Sequence, residues 1–264
     1  MFRHPKPLDR EVHRHLRLAA NQPYHFAASQ MLIPVVFSEI RQIAREYPIV
    51  FPKGGQDVPS ALVGVEKDVN AHVRETGHWM GRYIPAHVRR YPFLLGGYRN
   101  PEPEGGQRHV VMVDEDAPHL RGDQGEPLFT ESGEKAPALE QVEKVLVALH
   151  KDYEKTRQLT GQLAGAGLFA EKPLAVHPKN EEPRRIAGFS VIDTERLRTL
   201  EGGAMSELVE SGAMMLAYAH LFSLINLEDG WIAYSISRGA SEKPDVPDIE
   251  ALFGDNDDIF KFDS

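Results

Sequence analysis

The stretch AMMLAYAHLFSLINL, residues 213–227, sets the tightest limit on how this chain can fold. It reads as a helix that is apolar almost throughout, interrupted by His220, Ser223 and Asn226. Steps of three residues advance about 300° around an α-helix, so these side chains drift by only about 120° and form one polar stripe. Polar groups on so apolar a helix must find partners inside the protein. Two readings are open. The stripe is a buried hydrogen-bond network that locks the helix to a sheet, or it is a pocket wall in which His220 acts as acid, base or ligand.

The rest of the pattern points to an α+β fold, one domain of mixed sheet with packed helices. After Pro34, Phe37, Ile40, Ala44 and Tyr47 recur at helical spacing until Pro48 stops the helix. PIVF (48–51) and SALVGVE (60–66) read as a hairpin across KGGQDVP. RHVVMVDED (108–116), PLAVHP (173–178) and RRIAGFSVID (184–193) read as strands. Pro137 opens a long helix whose Leu139, Val142, Leu146, Leu149 and Tyr153 repeat every three or four residues, ending at Gly165 and Gly167. Asp193 caps a short helix, and another stops at Gly212. The boundaries expected are an arm over 1–22, the domain over 23–240 and an acidic tail over 241–264.

RYIPAHVRRYPFLLGG (82–97) poses an electrostatic problem, because Arg89 and Arg90 sit in a run that otherwise reads as buried. A buried charge costs several kcal/mol unless a partner offsets it. One reading pairs an arginine with Glu126 of GEPLF while the other is solvated or stacks on Tyr83 or Tyr91. The other reading has the pair clamp a carboxylate or phosphate.

Composition narrows the function classes. With no cysteine among 264 residues, disulfides, thiolate metal sites and a cysteine nucleophile are excluded. The twelve histidines show no HExxH and no compact facial triad, and no GxGxxG, GxxxxGK[ST] or GxSxG occurs, so no metal and no cofactor are expected. No apolar run is long enough to span a membrane, and the basic start has no apolar segment behind it, so the expected location is cytoplasmic. The net charge is −9, and eight Asp/Glu against two Lys after residue 240 account for −6 of it, so no nucleic-acid footprint is expected. The tail also carries Ile249, Leu252, Phe253, Ile259, Phe260 and Phe262, which suits capture of a partner enzyme or self-association.

PVVFSEIRQIAREYPIVF, WMGRYIPAHVRRYPF, GEPLF, RRIAGFSVID and YAHLFSLIN occur in that order, and the chain from about Tyr24 to Asn226 resembles the SapC family. These bacterial proteins take their name from a product associated with a paracrystalline surface layer. The resemblance points to Tyr47, Pro48, Trp79, Tyr83, Pro85, Arg89, Arg90, Tyr91, Glu126, Gly188, Phe189, His220, Ser223 and Asn226, without assigning any of them a catalytic role. Family genes often neighbour halogenase-like enzymes, cupin-like oxygenases and TonB-dependent receptors, which implies an accessory protein that holds or presents a substrate. Two other readings stay open: an enzyme using His220, Arg90 and Glu126 in a buried site, and a structural protein of the surface layer.

Overall fold

The computed structural model describes residues 1–20, 22–99, 107–120, 124–179 and 182–238. The tail expected over 241–264 lies outside the described residues, as does the end of the expected domain. Along the chain run β1 (Pro5–Pro7), β2 (Arg17–Leu18), β3 (Leu32–Pro34), α1 (Ile40–Ala44), β4 (Ile49–Val50), β5 (Ser60–Leu62) and α2 (Ala86–Arg89). There follow β6 (Phe93–Arg99), β7 (Gln107–Asp114), β8 (Glu126–Pro127), α3 (Pro137–Gly165), β9 (Phe169–Ala170), β10 (Leu174–Val176) and β11 (Arg184–Ile186). β12 (Val191–Ile192), α4 (Thr194–Arg198), α5 (Gly202–Ser211), α6 (Ala213–Ser223) and α7 (Trp231–Arg238) complete it. The α+β class holds. Among the described residues the strands are shared out over small antiparallel sheets, ordered β3-β5-β4, β1-β7-β6 and three pairs, where one mixed sheet was expected. Proline and glycine account for the division: Pro48 and Pro52 bracket β4, and Gly188 at φ 105° splits RRIAGFSVID into β11 and β12.

The expected hairpin is present, with Ile49 opposite Ala61 and Val50 opposite Ser60. Against it pack α1, α6 and the C-terminal half of α3, around Ile33, Ile43, Tyr47, Leu163 and Leu216. A second apolar cluster gathers β6 and β7 with the N-terminal half of α3, and Met1, Phe2, Leu8 and Leu16 of the arm pack onto it. The arm is therefore laid along the domain. β1 pairs with β7, β2 pairs with β8, and the buried Asp114 carboxylate accepts from the amides of Arg3 (2.8 Å) and His4 (3.2 Å). Asp193 caps α4 as expected, accepting from the amides of Glu195 and Arg196.

The polar stripe of α6 faces inward. His220, Ser223 and Asn226 are all buried. His220 Nδ1 donates to the Ile49 carbonyl at 2.6 Å and its Nε2 accepts from the Ile192 amide at 3.3 Å. Ser223 Oγ accepts from the Ile49 amide at 2.9 Å and donates to the His220 carbonyl at 2.6 Å. Asn226 Nδ2 donates to the carbonyls of Ala44 and Ser223, both at 3.0 Å. Each of the three side chains bonds to backbone. The network is the structural one, joining α6 to β4, β12 and α1.

Burial holds His220 and His72 neutral, lowering each from the ordinary histidine value to about 4, although each donates a hydrogen bond to a backbone carbonyl that favours its charged form. Above the unfolded value near 6.5 both states are neutral and this stability is fully present. As pH falls from there toward 4 the unfolded chain takes up protons that the folded chain refuses, at about 1.4 kcal/mol per pH unit for each histidine. Urea unfolding between pH 7.5 and 4.5 should show that loss. The His220→Ala chain should be less stable by about 1–3 kcal/mol at pH 7.5, because the Ile49 carbonyl and Ile192 amide lose their partner, and its decline with acid should be shallower by one histidine's share.

Candidate functional site

Pro85 starts α2, and the helix lasts one turn before the cis Tyr91–Pro92 bond leads into β6. Successive residues on a helix point about 100° apart, so Arg89 and Arg90 diverge. Arg89 faces outward. Its Nε donates to the Ile84 carbonyl at 2.9 Å, its Nη2 donates to Tyr83 Oη at 3.1 Å, and its guanidinium lies 5.5 Å from the centre of the Tyr83 ring. Tyr83 Oη in turn donates to Glu39 Oε2 at 2.9 Å. The carboxylate that answers Arg89 is thus Glu39, one hydroxyl away.

Glu39 is buried at the start of α1 and is held by three donors: the Ala86 amide at 2.8 Å, Tyr83 Oη, and the Val36 amide at 3.2 Å. Burial raises its carboxyl above the usual range, opposed by those hydrogen bonds and by the Arg89 charge. The tyrosine beside it is part of a second lattice, in which Trp79 Nε1 donates to Tyr47 Oη at 3.0 Å and Tyr47 Oη donates to the Tyr83 carbonyl at 2.5 Å. Gly81 is required there, since a Cβ would stand 2.1 Å from Tyr47 Oη.

Arg90 turns the other way, into a cavity of about 250 Å³ between α2 and α3. Pro34, Val36, Leu95, Leu146 and Leu149 form its apolar walls, and Glu39, His87, Arg90, His150 and Tyr153 bring polar groups to it. Leu146, Leu149, His150 and Tyr153 follow the i, i+3, i+4, i+7 spacing of one face of α3. Among the described residues Arg90 has no acidic partner. Its Nε is buried without a hydrogen bond, its Nη2 stands 3.4 Å from His87 Nε2, and its guanidinium lies 5.5 Å from the Phe2 ring centre. Burial pulls Arg90 below the usual guanidinium range. Burial first, then the Arg90 charge, lowers His87 to about 3, so its imidazole is neutral. Tyr153 donates to Asp57 Oδ1 at 2.7 Å and is pushed up to about 12, by burial first and then by that carboxylate.

The residues singled out from the sequence therefore fall in three places. Arg90 lines the cavity. Arg89, Tyr91 and Glu126 line a separate groove of about 450 Å³ with His119 and Phe26, and Tyr83 bridges Arg89 to Glu39. His220, Ser223 and Asn226 lie in the core. The expected pairing of an arginine with Glu126 is not formed among the described residues: Glu126 is exposed on β8, opposite Leu18, and Arg89 is already held by Tyr83 and Ile84. Nor do His220, Arg90 and Glu126 converge on one buried site, since both ring nitrogens of His220 are bound to backbone. Sequence reasoning missed Glu39, His87 and His150. A lone acid between Phe37 and Ile40 was the readable sign of Glu39, and the α3 period that picked out Leu146, Leu149 and Tyr153 also passes through His150.

Replacing Glu39 with Leu leaves the Val36 and Ala86 amides and the Tyr83 hydroxyl without their acceptor. The expected cost is about 1–3 kcal/mol in denaturant unfolding, larger than for Tyr83→Phe, which removes one of the three donors and leaves the carboxylate two.

A family model described as SapC matches residues 8–229. No curated protein and no solved structure matches the chain.

Proposed function

Since the chain belongs to the SapC family, we propose that it is an accessory binding protein which holds a small organic acid in the cavity at Arg90. The observation that carries this reading is a half-buried arginine at the wall of a cavity, with a buried, unsatisfied Nε and no acidic neighbour among the described residues. Leaving a charge unpaired in a low-dielectric setting is costly, and an incoming carboxylate would remove that cost while taking up the free donor. The apolar walls suit the body of the acid. At about 250 Å³ the space is below the range of roughly 300–1,000 Å³ that accepts drug-sized molecules, so the ligand is small.

Holding fits the site better than transforming. Glu39 is held by three donors, His87 already faces Arg90, and the Tyr153 hydroxyl is committed to Asp57, so three of the polar groups around the cavity are engaged, while the His150 ring lies 4.3 Å from that of His109. The accessory role matches what family context implies, namely presentation of the bound molecule to a partner tailoring enzyme, halogenase-like or a cupin-like oxygenase, in the cytoplasm.

The test is calorimetric titration of the purified chain with benzoate and hexanoate, with benzylamine as the cationic control. Binding of a carboxylate and indifference to the amine are expected. Arg90→Met should keep the melting temperature of the free protein, because no carboxylate is left unpaired, and should lose carboxylate binding at least tenfold. Undiminished binding by Arg90→Met, or none by the parent chain, would refute the assignment.

A further inference from the structure

Helix α6 is inverted relative to an ordinary surface helix. Its polar side chains face the core, while Met215, Tyr218, Phe222 and Ile225, the last just beyond its end, face outward with 47%, 44%, 72% and 56% of their surface exposed. Their steps of three, four and three residues keep them on one line, and the rings of Tyr218 and Phe222 stack at 6.2 Å. Scattered exposed apolar residues are ordinary, but a continuous stripe of four large ones marks a contact surface. The three-four spacing is that of a seam which receives another amphipathic segment.

The chain carries such a segment among residues 239–264, which lie outside the described residues. Ile249, Leu252 and Phe253 stand at i, i+3 and i+4, followed by Ile259, Phe260 and Phe262. This is the anchor spacing with which a short amphipathic helix enters an apolar groove. The segment follows α7, which ends at Arg238 and packs against the 3-10 turn Leu224–Leu227 that prolongs α6. From Arg238 to Ile249 the backbone reaches about 35 Å when extended, and α6 is only about 16 Å long. Charge agrees as well. The segment after residue 240 carries a net −6, and α1, which packs on α6, presents Arg41 and Arg45 one turn apart, both exposed and without an acidic partner among the described residues. In the arm, Lys6 pairs with Glu115 and Arg14 and Arg17 donate to the carbonyls of Glu131 and Gly125, while Arg3 and Arg10 are exposed.

We infer that residues 248–262 of this chain dock on the outward stripe of α6, with Ile249, Leu252 and Phe253 covering Tyr218 and Phe222 and the neighbouring carboxylates facing Arg41 and Arg45. The inference is independent of the Arg90 cavity. Hydroxyl-radical footprinting of the full-length chain tests it. Met215, Tyr218 and Phe222 should be labelled several-fold more slowly in the parent than in Leu252→Asp/Phe253→Asp, at low and at high protein concentration alike. Equal labelling in parent and variant overturns the proposal, and protection that disappears on dilution overturns it in favour of a second copy on the stripe. A reciprocal measurement does not depend on the tail variant. Phe222→Asp, at an exposed position, should speed cleavage at Glu250 by a glutamate-specific protease several-fold, and an unchanged cleavage rate also counts against docking.

Discussion

The amide and carbonyl of Ile49 organise the centre of this fold. β4 is two residues long, and among the described residues only one of its edges has a strand, β5, beside it. In an antiparallel pair the backbone groups of alternate residues point away from the partner. Those of Ile49 do so here, and they meet side chains of α6, Ser223 Oγ for the amide and His220 Nδ1 for the carbonyl. Two residues on, the exposed edge is taken by backbone again, where Phe51 and Ser190 exchange amide and carbonyl at 3.0 and 2.8 Å. A helix thus stands in for one strand position at a sheet edge, and His220 reaches from there to the Ile192 amide of β12. This substitution removes an open edge without lengthening the sheet. It also explains why an otherwise apolar helix carries polar residues at steps of three.

The two adjacent arginines illustrate the same geometric economy with opposite electrostatic outcomes. One residue of offset on a single turn sends Arg89 to a tyrosine, a carbonyl and, through the tyrosine, a buried carboxylate, while Arg90 goes to an apolar cavity wall. Glu39 cannot serve both, because its oxygens are already engaged by the amides that fix α2 against α1 and by Tyr83. Among the described residues the cavity therefore keeps one uncompensated positive charge. A fold that needed this position only for packing would be at least as stable with an apolar side chain there.

Much of the architecture was legible because its signals are local. The period of α3, the Asp193 cap, the β4–β5 hairpin and the stripe of α6 depend on spacing within one segment, and each stands where the pattern put it. What was not legible depends on contacts between distant segments. β1 reads PKP and β2 reads RL, neither of which has strand character by itself. They are strands because Asp114, more than a hundred residues on, collects the amides of Arg3 and His4, and because β8 lies alongside β2. The candidate site fared likewise. Arg90 could be named from the cost of burying it, but its direction follows from where a one-turn helix begins, and the acid that answers Arg89 is not Glu126 but Glu39, farther off in sequence and hidden inside an apolar run.

The inversion of α6 follows from the first of these constraints and leads beyond the fold. Because His220, Ser223 and Asn226 must face β4, β12 and α1, the inner face of the helix is partly polar, and the remaining apolar contacts fall to Leu216, Ala217, Ala219 and Met214. Those residues suffice for the core, since they are buried among Ile43, Ile49 and Leu163. Met215, Tyr218, Phe222 and Ile225 are therefore not needed to hold α6 in place, and polar residues at the same positions would keep every inward bond while lowering the tendency to associate. The outer face of α6 is therefore apolar without being needed for the packing of the described residues, and its three-four spacing is that of a face which can receive another amphipathic element.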